Sequence, residues 1–99
     1  MTETPEIIHE TASGGGRYFV RLDDDGPEAR MTYKTTAPGI ITIDHTFVPN
    51  EFRGHGVAAA LVNRAITDAR QNNTKIIPQC SYVAAQFHRH PEWADLLAR

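Results

Sequence analysis

Two glycines, one residue apart and just ahead of a helix, mark the place where this chain could bind an anion. In the stretch from Thr46 to Ala60 a strand-like apolar run stops at Pro49 and Asn50. Gly54 and Gly56 then remove the side chains that would hold a ligand off the backbone. From Val57 onward, Val57, Leu61, Ala65, Ile66 and Ala69 fall on one helical face. A helix that opens at glycines offers unpaired N–H groups and the positive end of its dipole, which together suit a phosphate or pyrophosphate. Arg53 can add a two-point guanidinium contact, and His55 either touches the same anion or faces solvent. A charge-assisted hydrogen bond contributes about 1.5 to 3 kcal/mol, so losing Arg53 should weaken anion binding by roughly one to two powers of ten.

Two further side chains could handle protons. Cys80 is the only cysteine, which excludes an intrachain disulfide. It ends a strand-like run and precedes a helix, where the helix N-terminus or a cationic neighbour would draw a thiol pKa toward neutrality. The other reading of Cys80 is a small core residue. His45 lies on the strand before the glycines, and strict alternation puts it on one face with Ile41, Ile43 and Phe47, with Asp44 pointing the other way. That face argues for a packed or hydrogen-bonded histidine, while an imidazole is also a side chain suited to act as a general base near neutral pH. Cys80, His88 and His90 lack a standard zinc spacing, and Asp23-Asp24-Asp25 lacks the spaced ligands of a calcium loop, so no metal is expected.

Arg53-Gly54-His55-Gly56-Val57-Ala58 resembles the acyl-CoA signature of the GCN5-related N-acetyltransferase superfamily, Arg/Gln-x-x-Gly-x-Gly/Ala, with Arg53, Gly56 and Ala58 at the defining positions. Thr46-Phe47-Val48-Pro49, Pro78-Gln79-Cys80-Ser81-Tyr82-Val83 and His90-Pro91-Glu92-Trp93 stand at suitable distances from it. Together they are similar to a subgroup of minimal single-domain members with a cysteine after the last strand, and the resemblance covers nearly the whole chain. It implies an acetyl-CoA-dependent N-acetyltransferase in which an amine, carried by a small molecule or a protein, attacks directly in a ternary complex. The amides of residues 53–58 would then hold the CoA pyrophosphate. Backbone groups of Phe47 and Val48 would pair with the pantetheine arm and supply an oxyanion donor.

In such enzymes the general acid is usually a tyrosine on the helix after the last strand. Here His88 occupies that position, and the nearest tyrosine is Tyr82. The departure favours Cys80, as acid, base or nucleophile, or no dedicated acid. Many members carry a basic carboxylate on the strand before the signature, and His45 could replace it. A CoA-binding module without catalysis is the alternative, and an unrelated nucleotide-phosphate binder is a third reading.

The elements that must position these residues follow from local pattern. Ile7 to Glu10 and Arg17 to Leu22 read as a hairpin turned by Gly14-Gly15-Gly16. Asp23 to Pro27 is a turn, Ala29, Met31, Tyr33 and Thr35 alternate as a strand, and Ile40 to Val48 follows Ala37-Pro38-Gly39. Short connections imply an antiparallel meander of about four strands. The central helix stops at Asn72-Asn73-Thr74, since asparagine tolerates a left-handed cap. Lys75 to Cys80 then returns parallel to Ile40–Val48 by a right-handed crossover. Pro78 cannot donate to a ladder, which predicts that the parallel strands part near Phe47 and Pro78. Small helices through Val83, Ala84 and Phe87, and through Trp93, Leu96 and Leu97, close the chain. The fold class is therefore α/β with a mixed sheet, a truncated version of the acyl-CoA N-acyltransferase fold.

Ninety-nine residues suit one domain, 1–99, with one core. Forty per cent apolar and 22% charged residues describe a globular chain, and a formal charge of −2 offers no basic face for nucleic acid. The sequence holds no apolar run long enough for a membrane span, and acids in Met1 to Glu10 replace the features of a signal peptide. A cytoplasmic protein, monomer or homodimer, is the expectation.

Overall fold

The computed structural model describes residues 6–21, 27–52 and 56–98. The turn at Asp23 to Gly26 and the residues Arg53, Gly54 and His55 lie outside them. The chain runs β1 (Ile8–Ala12), β2 (Gly15–Arg21), β3 (Glu28–Ala37), β4 (Ile40–Phe47), a 3-10 turn (Asn50–Phe52), α1 (Val57–Asn72), β5 (Lys75–Pro78), α2 (Ser81–Arg89) and a 3-10 segment (Pro91–Leu96). The strands form one sheet in sequence order, β1 to β4 antiparallel and β5 parallel to β4. The expected meander with one parallel strand is what the chain adopts.

Alternation decides which face meets the helices. Tyr18 and Val20 on β2, Ala29, Met31 and Tyr33 on β3, Ile43 on β4 and Ile76 on β5 are buried in one cluster with α1 and α2 residues, including Leu61, Val62, Val83 and Phe87. Trp93 and Leu96 of the last 3-10 segment join it, so the helical pieces share a single core. Fully burying one such aliphatic side chain contributes about 1.5 to 3 kcal/mol. The opposite, outer face carries Ile8, Phe19, Arg30, Phe47 and Ile77, all outside that cluster.

The α1 stop is as read: Asn73 caps the helix in the left-handed region (φ 56°), and the Thr74 amide donates to the Ala69 carbonyl at 2.9 Å. The first hairpin differs, because its turn is Ser13 and Gly14 alone, while Gly15 and Gly16 belong to β2. A Cβ on Gly15 would lie 2.3 Å from the Tyr33 carbonyl oxygen, and one on Gly16 would lie 2.6 Å from the Tyr33 hydroxyl. Both glycines therefore serve close approach across the sheet.

One irregularity in the β3/β4 ladder matters for function. Thr32 pairs with His45 but Tyr33 pairs with Ile43, so Asp44 is an extra residue on β4. Such a bulge reverses the alternation beyond it. Ile43 faces the core, and so does Thr46, opposite the buried Met31. His45 and Phe47, opposite Thr32 and Arg30, face outward and are exposed. His45 thus does not share a face with Ile41 and Ile43; one inserted residue overturned the strict two-residue period.

Candidate functional site

β4 and β5 part earlier than the sequence suggests. Their pairing ends at Ile43 with Pro78, not at Phe47. The Cys80 amide still donates to the Ile43 carbonyl at 2.9 Å, while the Gln79 amide turns back to Ile77. Pro78 lacks the N–H that could continue the ladder. Beyond this point β4 runs on through Thr46 and Phe47 without a β5 partner.

Cys80 stands at the mouth of this gap as the residue before α2, and the Ala84 amide donates to its carbonyl at 2.9 Å. Its thiol donates to Thr46 Oγ1 at 3.4 Å, a contact that exists because the bulge turns Thr46 to the core side. Burial pushes the Cys80 thiol pKa up. Hydrogen bonding from Thr46 and from the amides of Val83, Tyr82 and Thr46 outweighs burial, and the net shift is below the ordinary thiol value. The helix start thus acts through specific donors.

The second half of the site is the start of α1. Gly56 occupies the left-handed region (φ 66°, ψ 25°) as its N-cap, with no side-chain cap and no acidic residue in the first turn. The Ala60 amide donates to the Gly56 carbonyl at 3.0 Å, so helical bonding begins there and the preceding first-turn amides have no intrahelical acceptor. A Cβ on Gly56 would meet no atom within 4 Å. Glycine is therefore called for by conformation and by access, not by crowding from its own chain. A groove of about 510 Å³ lies beside it, with Val48, Pro49, Val57, Ala58 and Tyr82 among its walls.

Of the residues singled out from sequence, Val48, Gly56, Val57 and Ala58 meet at this groove, and Phe47 continues β4 next to it. Cys80 lies across from Thr46 at the gap. His45 is turned to the outer face of β4, whereas Cys80 meets Thr46 on the core side, so the two are not brought together. Arg53, Gly54 and His55 fall outside the described residues. His88 is exposed in the last turn of α2, and His90 stacks on Trp93 at 4.1 Å and contacts Glu92 at 3.0 Å, away from Cys80. Among the described residues no three potential ligands gather around a metal position.

Three contributors were not read from sequence. Thr46 became visible only through the bulge. Asp44, whose Oδ1 accepts the Thr32 hydroxyl at 2.7 Å, sits at that bulge beside His45. Tyr82 lines the groove from the first turn of α2, and burial pushes its phenol pKa up, with Arg89 opposing. Its place on the helix after the last strand, six residues before the usual tyrosine position at 88, was the available signal.

Comparison with known proteins agrees with this arrangement. Residues 17–96 match the family model described as GCN5-related N-acetyl-transferase. The chain is similar to Protein NATD1 of Gallus gallus and of Mus musculus, each 27% identical over 75 residues that span 76% of this chain and 68% of theirs. Among solved structures it is similar to a GCN5-like protein from Staphylococcus aureus, determined by NMR as a candidate N-acetyltransferase. The TM-score is 0.73 at 28% identity, over 98% of this chain and 91% of that one. With four-fifths of its length matched and the sheet, parted strands and glycine-capped helix in place, the chain belongs to the GCN5-related N-acetyltransferase family.

Proposed function

We propose that this protein transfers the acetyl group of acetyl-CoA to an amine by direct attack in a ternary complex. The observation that carries the reading is the open start of α1 at Gly56, beside a groove walled by Val48, which follows β4, and by Tyr82, two residues after Cys80. Acetyl-CoA supplies an activated thioester. Amides of Gly56, Val57 and Ala58 hold its diphosphate, and Arg53, Gly54 and His55 extend the cradle. Main-chain groups of Phe47 and Val48 hold the pantetheine arm and donate toward the acyl oxygen.

The two candidate proton-handling groups work from opposite sides of β4. His45, exposed on the outer face beside Asp44, accepts a proton from the amine. Cys80, on the core side against Thr46, gives its thiol proton to the departing thiolate and is reprotonated from solvent. Separate placement suits separate protons, and it argues against a Cys80–His45 nucleophilic pair.

Incubation with acetyl-CoA and a panel of amines, peptides and polyamines tests the proposal. Product formation that falls at least tenfold in Cys80→Ala or His45→Ala supports it. CoA binding without turnover above those variants supports the second reading, a CoA-binding module, which the outward exposure of His88 at the usual acid position favours. Competition by ATP but not by CoA would point to an unrelated phosphate binder. Sedimentation separates monomer from homodimer.

A further inference from the structure

The outer face of the sheet has a composition out of keeping with a surface that only meets water. Among the described residues the exposed large apolar side chains are Ile8 (41% exposed), Phe47 (45%) and Ile77 (38%). By strand register all three stand on this one face. Ile8 pairs with Phe19 and Phe47 with Arg30, both outward-facing; Ile77 follows the fully buried Ile76 and so points away from the core.

Between them lies Phe19, only 2% exposed although it is outside the core. It is covered by the Arg17 guanidinium 4.0 Å from its ring centre and by Arg21 at 5.3 Å. Arg30 lies 5.0 Å over the Phe47 ring in the same way. Aromatic rings plated with arginine are the residue types enriched in protein–protein interfaces.

Size and charge narrow the partner. Ile8 is on β1 and Ile77 on β5, the two ends of the strand order. With strands about 4.8 Å apart they are separated by about 19 Å, more than a small amine spans. Glu10 and Glu28 are engaged by Arg17, and Glu28 also by Arg21, whereas Arg30 and Lys34 form no ion pair among the described residues. Asp44, which accepts from the outward Thr32, is a further carboxylate here, so the charge left by Arg30, Lys34 and Asp44 is a small positive excess on a chain of net charge −2. The face also reaches the reaction gap, since Ile77 precedes Pro78 and His45 and Phe47 flank the other side.

We propose that the acetyl acceptor is an amine on an acidic polypeptide, and that this polypeptide docks across the outer face of the sheet with its amine presented between Phe47 and Ile77. The proposal rests on the acetyltransferase reading above for its chemistry, but docking can be read without turnover. The probe is a peptide of about 12 residues, long enough at about 3.3 Å per residue to cross the sheet, with one central lysine among glutamates and leucines. A second peptide carries arginines in place of the glutamates, and N-acetyl-lysine methylamide stands for the bare amine.

Amide shifts in isotope-labelled protein should move on the outer-face strands with the acidic peptide and not with the basic one. The kcat/KM for the acidic peptide should exceed that for the bare amine at least tenfold. Ile8→Asp and Lys34→Glu, neither among the proposed catalytic or carrier-binding residues, should remove most of that advantage while bare-amine turnover stays unchanged. Equal use of peptide and bare amine, preference for the basic peptide, or shifts confined to another surface would overturn the proposal. So would a dimer that hides this face. If neither amine turns over, the acetyltransferase reading fails; outer-face shifts with the acidic peptide alone would still uphold the docking surface, and their absence would remove it.

Discussion

Thr46 links the Cys80 thiol to the geometry of β4. Its hydroxyl and amide favour the thiolate against the opposing effect of burial, so the thiol pKa lies below the ordinary range. Thr46→Val removes one donor and leaves the burial, so the pKa should rise. Alkylation by iodoacetamide, which reads a single cysteine in this chain, should then show its half-maximal rate at higher pH and a slower rate near neutrality. An unchanged profile would mean that the hydroxyl does not act on the thiol. Cys80 was legible because a lone cysteine before a helix is a local feature. Thr46 was not, because its orientation depends on a long-range pairing irregularity at Asp44.

A second residue-scale effect lies away from the gap. His9 stacks on Tyr18 at 4.2 Å, shares a 2.7 Å hydrogen bond with the Tyr33 hydroxyl and approaches Asp68 at 3.9 Å. Burial lowers its pKa, Asp68 opposes that, and Arg64 lowers it further. The folded pKa is depressed, so the unfolded chain binds the proton first. The stability contribution is complete above the ordinary histidine value of about 6.5 and is lost as pH falls through it toward the folded value. The melting temperature should therefore drop between about pH 7.5 and pH 5.5, and His9→Gln should flatten that slope. A slope identical in the variant would exclude His9 as its source.

At the scale of elements, strands and helix could be read wherever the cause is local. The α1 positions the helical period selects, Val57, Leu61, Ala65, Ile66 and Ala69, are all buried, Val62 is buried beside them although that reading left it out, and Asn73 ends the helix as a left-handed cap. The hairpin turn and the parting of the parallel strands were misplaced by a few residues, because both depend on contacts between strands. Gly15 and Gly56 illustrate two distinct demands on glycine. Gly15→Ala would press a methyl group against the backbone of Tyr33 and Lys34 and should cost about 1 to 3 kcal/mol in chemical denaturation. Gly56→Ala meets open space, so its cost arises from the left-handed backbone alone, about 1 to 2 kcal/mol. A larger loss at Gly56 than at Gly15 would contradict this assignment of causes.

At the scale of the whole molecule, the described residues form a sheet with one face filled by helical segments and the other covered by none of them, beside a gap between the last two strands. No helix among the described residues is long and apolar enough to cross a membrane. This design puts the proposed carrier site at the start of α1 and the proposed acceptor surface on the outer face. Its central claim is that main-chain amides at the glycine-capped helix grip the diphosphate of coenzyme A. Calorimetric titration of coenzyme A into the intact protein and into Gly56→Val tests it most directly. The account predicts saturable heat with the intact protein and an affinity at least tenfold weaker in the folded variant. Equal affinity in the two proteins, or no heat in either, would contradict it.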